Sequence, residues 1–218
     1  MVVTLDTPFY GFKLDDEQRD FVNAILSDDN DVIFCNAKSG TGKTTLSIMC
    51  ANMLVDDKKY ESIIYVAAPV QEMKQGYLPG DLTQKSSVYY EPLYQAMIEA
   101  GINPNTALYT DSLVNQKNGT AFIKPITHTF TRGTNFKNAV VIVEESQNFT
   151  VAELKKILTR CHDSCKVILI GHTGQIDIQK NSGFQNYLNH FYGHDRCAVC
   201  ELTTNHRGWI STYADELY

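Results

Sequence analysis

The run Ala37-Lys38-Ser39-Gly40-Thr41-Gly42-Lys43-Thr44 constrains the fold of this chain more than any other feature. It fits the pattern A/G-x-x-x-x-G-K-S/T. It follows Asp31-Val32-Ile33-Phe34-Cys35, a short apolar and β-branched stretch. It opens residues 43–54, where Leu46, Met49, Cys50 and Met53 recur at helical spacing. A small-residue loop held between a buried strand and a helix commits this region to a strand–loop–helix unit, the building block of a parallel sheet.

The same alternation runs along the chain. Residues 62–67, 139–143 and 166–170 are short, nearly continuous apolar runs with room for a helix between them, and residues 197–202 form a weaker fifth. Strands buried on both faces of a parallel sheet have this appearance. Helices are expected over 15–26, with Phe21, Val22, Ile25 and Leu26 on one face, and over 151–159. There Thr150 stands as N-cap, with Glu153 three residues on. The expected fold class is α/β, a three-layer domain with a mostly parallel central sheet. Residues 78–135 break the rhythm. They read as a segment inserted between the second and third strong strands and packed on the core. It is expected to hold a helix near 90–100 and then a hairpin at Lys117-Asn118-Gly119, where Asn-Gly suits the two positive φ values of a tight turn.

With 218 residues and 43% hydrophobic content, a single domain over 1–218 can bury a core. The formal charge of -6 gives no bulk electrostatic case for nucleic acid, so any such contact must be a local patch or a stacking surface. No stretch approaches 18 apolar residues, so no membrane partner is expected, and the first residues do not read as a signal peptide. A cytoplasmic setting is expected, with the six cysteines as free thiols. Cys161 with Cys165, and Cys197 with Cys200, raise zinc as an alternative, His162 and His194 being near. Cys197 and Cys200 fall in a strand, however, where odd spacing sends them to opposite faces, and a zinc knuckle needs both thiolates on one turn.

The loop 37–44 has the composition of a phosphate cradle. Small residues let backbone N–H groups wrap phosphates, and the following helix adds its positive end. Lys43 is expected at the β- and γ-phosphates and the Thr44 hydroxyl at Mg2+, with Thr45 beside them in the binding run. The apolar stretch 139–143 ends in Glu144-Glu145-Ser146-Gln147-Asn148. Carboxylates at the C-terminal end of a buried strand face the crevice where α/β sheets bind ligands. Glu144 suits the metal shell and Glu145 the orientation of an attacking water. The stretch 166–170 leads into Gly171-His172-Thr173-Gly174-Gln175-Ile176-Asp177. Gln175 is the candidate sensor there, because one amide can contact phosphate and water together.

In order along the chain, these residues resemble the PhoH-like family of ATPases, which is related to superfamily 1 helicases. The likeness runs from about residue 14 to about residue 215. The family's glutamine-type adenine motif looks like residues 14–21, with the match at Gln18. Its G-P-A-G-T-G-K-T corresponds to 37–44. Its R-P stretch and G-F-L-P-G-D segment are similar to Ala68-Pro69 and Gly76-Tyr77-Leu78-Pro79-Gly80-Asp81, the most family-specific run here. The R-G-x-T-x-x-N block looks like 132–138, D-E-A-Q-N becomes 144–148, and G-D-x-x-Q-I-D becomes 171–177, followed by Ser182-Gly183-Phe184. Four positions depart: Ala37 for glycine, Ala68 for arginine, Glu144 for aspartate and His172 for aspartate. Lys43, Thr44, Glu145 and Gln175 remain, so ATPase chemistry is expected to be retained.

The resemblance implies a single RecA-like domain with ATP and Mg2+ as cofactors. It also implies RNA or single-stranded DNA as partner, and a homo-oligomeric ring such as a hexamer. It points to Arg207 and Arg132 as the candidate arginines for the developing charge, supplied in cis or by a neighbour; an ordinary ion pair is the alternative for each. Phe9, Tyr10 and Phe12 precede Gln18 and are candidates to stack on adenine, and Tyr77, Tyr89 and Tyr90 to stack on bases, with core packing the competing role. No PIN-type nuclease activity is expected. Two other readings stand beside the ATPase: a nucleotide-gated binding or scaffold module without turnover, and a small-molecule kinase. A GTPase is disfavoured, since no N-K-x-D signature occurs.

Overall fold

The computed structural model describes residues 7–68, 90–109, 119–127, 134–174 and 182–215. Among these residues six strands form one sheet: β1 (Val32–Ala37), β2 (Ser62–Ala67), β3 (Ile123–Thr127), β4 (Ala139–Glu144), β5 (Lys166–Gly171) and β6 (Cys197–Leu202). They lie in the order β3-β2-β4-β5-β1-β6, and every pairing is parallel. The helices between them are α1 (Asp16–Leu26), α2 (Lys43–Asp56), α3 (Glu91–Glu99), the short α4 (Pro104–Ala107), α5 (Val151–Leu158) and α6 (Gly183–Phe191). The helix α7 (Trp209–Asp215) follows β6.

The strand period of two sorts side chains into two cores. Ile33, Cys35, Tyr65, Ile142, Ile168 and Ile170 point to the face covered by α1, α2 and α3, against Phe21, Leu46, Met49 and Met97. Phe34, Val66, Val141, Val143 and Leu169 point to the other face, against Leu154 and Ile157 of α5 and Phe184 of α6. The result is the three-layer α/β architecture expected from the continuous apolar runs. Cys197 packs against the second core and Cys200 against the first, so their side chains do take opposite faces.

Helix starts are set by local chemistry. Asp15 caps α1 by accepting from Gln18 N–H at 2.7 Å, and Gln18 returns the contact by accepting from Asp15 N–H at 3.2 Å. Thr150 and Glu153 make the same reciprocal box at α5.

The stretch read as an insert contributes to the sheet itself. The helix expected near 90–100 is α3, but β3 then pairs with β2 in parallel, Tyr65 facing Pro125 in register. The turn at Lys117-Asn118 lies outside the described residues. Beyond it Ile123 bridges Leu108 in parallel, whereas hairpin arms would meet antiparallel. Pro125 is tolerated because β3 is an edge strand, whose outer side carries only the Leu108 bridge at Ile123 among the described residues.

β5 lies between β1 and β4 and ends in Gly171. A β-carbon at Gly171 would stand 2.9 Å from Gln147 Oε1, 3.0 Å from Ser146 Oγ and 3.2 Å from the Gln147 backbone nitrogen. Ser146 is fixed there by its hydroxyl, which donates to the Ile170 carbonyl at 2.7 Å. Gly171→Ala is therefore expected to destabilise the fold by about 1–3 kcal/mol, read from the denaturant midpoint.

Candidate nucleotide site

The C-terminal ends of β1, β4 and β5 meet at one edge of the sheet, where ligands bind in open α/β folds. From β1 the chain turns through Gly40 (φ 76°) and Gly42 (φ 80°), left-handed values that glycine adopts at little cost. The Thr41 hydroxyl braces the loop from within, donating to the Lys38 carbonyl at 3.1 Å. Gln18 braces it from α1, donating its Nε2 to the Thr41 carbonyl at 3.0 Å.

A second brace arrives from the far end of the chain. Lys38 N–H donates to the Leu202 carbonyl at 3.0 Å, and His206 N–H to the Gly40 carbonyl at 2.8 Å. Arg207 Nη1 donates to the Ser39 hydroxyl at 2.8 Å. This strap, residues 203–207, is anchored on α1. Glu17 accepts from the Thr203 N–H at 2.6 Å and from its hydroxyl at 2.7 Å, and these bonds hold the Glu17 carboxyl below the usual range. His206 Nε2 meets Asp15 Oδ2 at 2.9 Å. A β-carbon at Gly40 would stand 2.5 Å from Asn205 Oδ1, so any other residue here would have to push the Asn205 side chain of the strap aside.

Opposite the loop, the Thr44 hydroxyl donates to Glu144 Oε1 at 3.0 Å. Glu144 is 4% exposed, and its Oε2 is buried with no hydrogen-bond partner among the described residues. The buried Tyr65 hydroxyl faces this carboxyl, and burial, then the Glu144 charge, push its own pKa well up. Burial, then the neighbouring Glu145 charge, push the Glu144 pKa up to about 7 against the opposing pull of Lys43 and Thr44. A buried carboxylate with an open oxygen beside a hydroxyl is a donor set suited to a hard divalent cation, so these residues fit Mg2+.

Glu145 occupies a left-handed backbone position (φ 48°, ψ 44°). Its Oε1 lies 3.6 Å from Lys43 Nζ, and its Oε2 accepts from Gln147 Nε2 at 2.5 Å. The buried Gln147 in turn accepts from His172 N–H at 3.1 Å through Oε1. A cleft of about 840 Å3 opens beside the loop, between Phe12, Gln18 and His206 on one side and the Glu91, Gln95 and Glu99 face of α3 on the other. Thr45 closes one wall, its hydroxyl donating to Glu99 Oε2 at 2.6 Å. This volume suits a nucleotide-sized ligand.

The raised Glu144 pKa has a consequence for stability. The folded state holds this proton up to about pH 7, while the unfolded carboxyl loses it near 4.5. Between those values the native state binds more protons, so Glu144 makes stability fall as pH rises, by up to about 3 kcal/mol in the absence of metal. Glu144→Gln has no proton to lose and should flatten that part of the profile. Denaturant midpoints of both proteins across pH 5 to 8 check this.

Gln18, residues 37–45, Glu144, Glu145 and Arg207 thus gather at one edge. Gln175 and Arg132 lie outside the described residues, as do Tyr77, Tyr89, Asp177 and residues 78–81. Arg19 pairs with Asp16 at 2.9 Å and Arg196 pairs with Asp31, both away from the loop. Of the aromatic candidates, Phe9 and Tyr90 are buried in the core, Tyr90 edge-on to Tyr65, while Phe12 lines the cleft and is 44% exposed. The strap residues Thr203, Asn205 and His206 were not among the sequence candidates. The rule that finds Glu144, polar residues just past the C-terminal end of a strand, applies equally to Thr203-Thr204-Asn205-His206 after β6. No helix among the described residues is long and apolar enough to cross a membrane.

The family model described as PhoH-like protein matches residues 13–207. The chain is 36% identical over 171 residues to the PhoH-like protein of Synechocystis sp., covering 77% of this chain and 49% of that protein. It is 33% identical over 188 residues to the PhoH-like protein of Bacillus subtilis, covering 85% and 56%. Against protein PhoH of Escherichia coli K12 it is 30% identical over 203 residues, covering 85% and 55%. The chain thus spans about half the length of these relatives. Among solved structures it is similar to Bacteroides sp Pif1 in complex with ADP-AlF4, with TM-score 0.43 and 16% identity over 93% of this chain and 44% of that one. It is also similar to the PRRSV helicase, with TM-score 0.39 and 12% identity over 85% and 33%. On its phosphate loop, its parallel sheet and a family match over nearly its whole length, the chain belongs to the PhoH-like protein family of P-loop NTPases.

Proposed function

We propose that the chain binds ATP with Mg2+ and hydrolyses it, in a cycle coupled to RNA or single-stranded DNA. The observation that carries this reading is the convergence of Lys43, the Thr44–Glu144 pair and Glu145 on one edge of the sheet, within reach of Arg207. Backbone N–H groups of residues 38–43 and the start of α2 bind the phosphates. Lys43 leaves Glu145 for the β- and γ-phosphates. Glu145 is then free to accept a hydrogen bond from the attacking water and orient it in line. Thr44 and Glu144 would hold Mg2+, which when bound neutralises charge on the β- and γ-phosphates. Arg207 turns from Ser39 toward the transferring group, and Gln175 and Arg132 complete the set. Gln18 and Phe12 favour adenine at the nucleoside end, one by its amide and one by its ring. A homo-oligomeric ring suits coupling to a strand, since one such domain cannot by itself separate strands.

The test is ATP turnover by the purified chain with and without single-stranded RNA and DNA. Stimulation by either supports the coupling. Turnover that ignores both removes it, and turnover that appears only with a small phosphate acceptor replaces it with a kinase.

A further inference from the structure

We infer that Asn36 is a positioning residue that locks the turn after β5 to the phosphate loop, so that hydrolysis depends on it more than nucleotide binding does. The inference rests on the ATPase reading above. Asn36 is the last residue of β1 before Ala37, and every other residue of that strand is apolar. The strand's own hydrogen bonds run to β5 and β6, with Asn36 in register with Gly171 and Glu201, so the ladder gives no reason for a side-chain amide here. Its Oδ1 accepts from the Thr173 N–H at 3.1 Å and from the Thr173 hydroxyl at 3.3 Å.

The preceding amide of the same turn, His172 N–H, donates to Gln147 Oε1 at 3.1 Å. Two successive amides of one turn are therefore held by side-chain carbonyls from two different strand ends. One adjoins the phosphate loop, and the other lies two residues past Glu145. Gln147 ties the turn to Glu145, and Asn36 ties it to the loop that carries Lys43. Without Asn36 the turn keeps one anchor and can pivot about Gln147. A displacement of about 1 Å in such a site costs up to about a hundredfold in rate. Among the described residues the Asn36 side chain hydrogen-bonds the turn and not the phosphate cradle, so affinity for ATP has no direct stake in it.

The experiment compares wild type with Asn36→Ala, Asn36→Asp and Thr173→Val in the full chain. Its readouts are kcat, equilibrium affinity for Mg·ATP, and amide hydrogen exchange over residues 171–174. Asn36→Ala should exchange faster at Thr173 and lose about tenfold or more in kcat, with affinity within about twofold of wild type. Asn36→Asp keeps the acceptor oxygen and should restore the protection. Thr173→Val loses only the hydroxyl bond and should fall between. Wild-type exchange and kcat in Asn36→Ala would overturn the inference. So would a parallel loss of affinity, kcat and melting temperature, which marks a merely structural residue. If Asn36→Ala does not fold, the other two variants decide: unchanged exchange in Thr173→Val, or unprotected exchange in Asn36→Asp, overturns the lock. If the wild type shows no turnover, the ATPase reading fails while the exchange data still decide the lock.

Discussion

Lys43→Ala is expected to lower affinity for Mg·ATP at least about thirtyfold and to remove turnover, while leaving the empty protein folded. The two halves of that result have different physical origins. The Lys43 side chain is only 11% exposed, so its contact with a phosphate is made largely out of water. Truncating one member of a buried charge pair costs roughly 2–5 kcal/mol, a factor of thirty to several thousand. In the empty site its partner is Glu145 at 3.6 Å, a side chain 42% exposed, and such a pair adds about 0–1 kcal/mol. Binding should therefore collapse and the melting temperature barely move. Lys43→Arg should not rescue, because a planar fork cannot replace a compact ammonium in a loop this tight. Titration calorimetry with Mg·ATP beside a thermal melt separates the two effects.

Arg207→Ala is expected to cost about a thousandfold in kcat, the scale of an arginine placed on the transferring phosphoryl group. Its side chain already touches the loop through Ser39. Its backbone is fixed by Asn205 Oδ1, which accepts from the Arg207 N–H at 2.9 Å, and by the neighbouring His206 bonds to Gly40 and Asp15. That anchoring makes Arg207 a resident of its own site. Turnover per chain should then be independent of protein concentration once the chain is saturated with ATP. A steep rise with concentration would instead assign the arginine to a neighbouring copy. Arg207 is exposed, so Arg207→Ala should change stability by about 0.5 kcal/mol or less.

How much of this was legible in the sequence follows from where each element sits. The central strands β1, β2, β4 and β5 announce themselves because burial on both faces leaves runs that are apolar except near their ends. The edge strands do not. β6 is half-buried over residues 197–200 and exposed at Glu201, which explains its weak signal. β3 reads Ile-Lys-Pro-Ile-Thr, with Lys124 exposed and Pro125 on a sheet edge where a missing N–H is tolerated, so its sequence reads as part of an insert. At the site, local motifs gave the phosphate loop and the acidic strand end. The contacts that lock them together join residues far apart in sequence: Glu17 with Thr203, Asp15 with His206, Asn36 with Thr173, Gln147 with His172. No periodicity or spacing encodes such pairs, since they arise only when the strand order brings β1, β5 and β6 side by side.

The most direct measurement is release of inorganic phosphate from Mg·ATP by the wild-type chain beside Glu145→Gln. The wild type should release phosphate in a reaction that chelation of Mg2+ stops. Glu145→Gln should bind Mg·ATP as well as wild type, since Lys43 loses its competitor for the phosphates, and release phosphate about a thousandfold more slowly. A wild-type chain that binds Mg·ATP yet releases no phosphate in any state of assembly would contradict hydrolysis at this site, as would a Glu145→Gln protein that turns over at the wild-type rate.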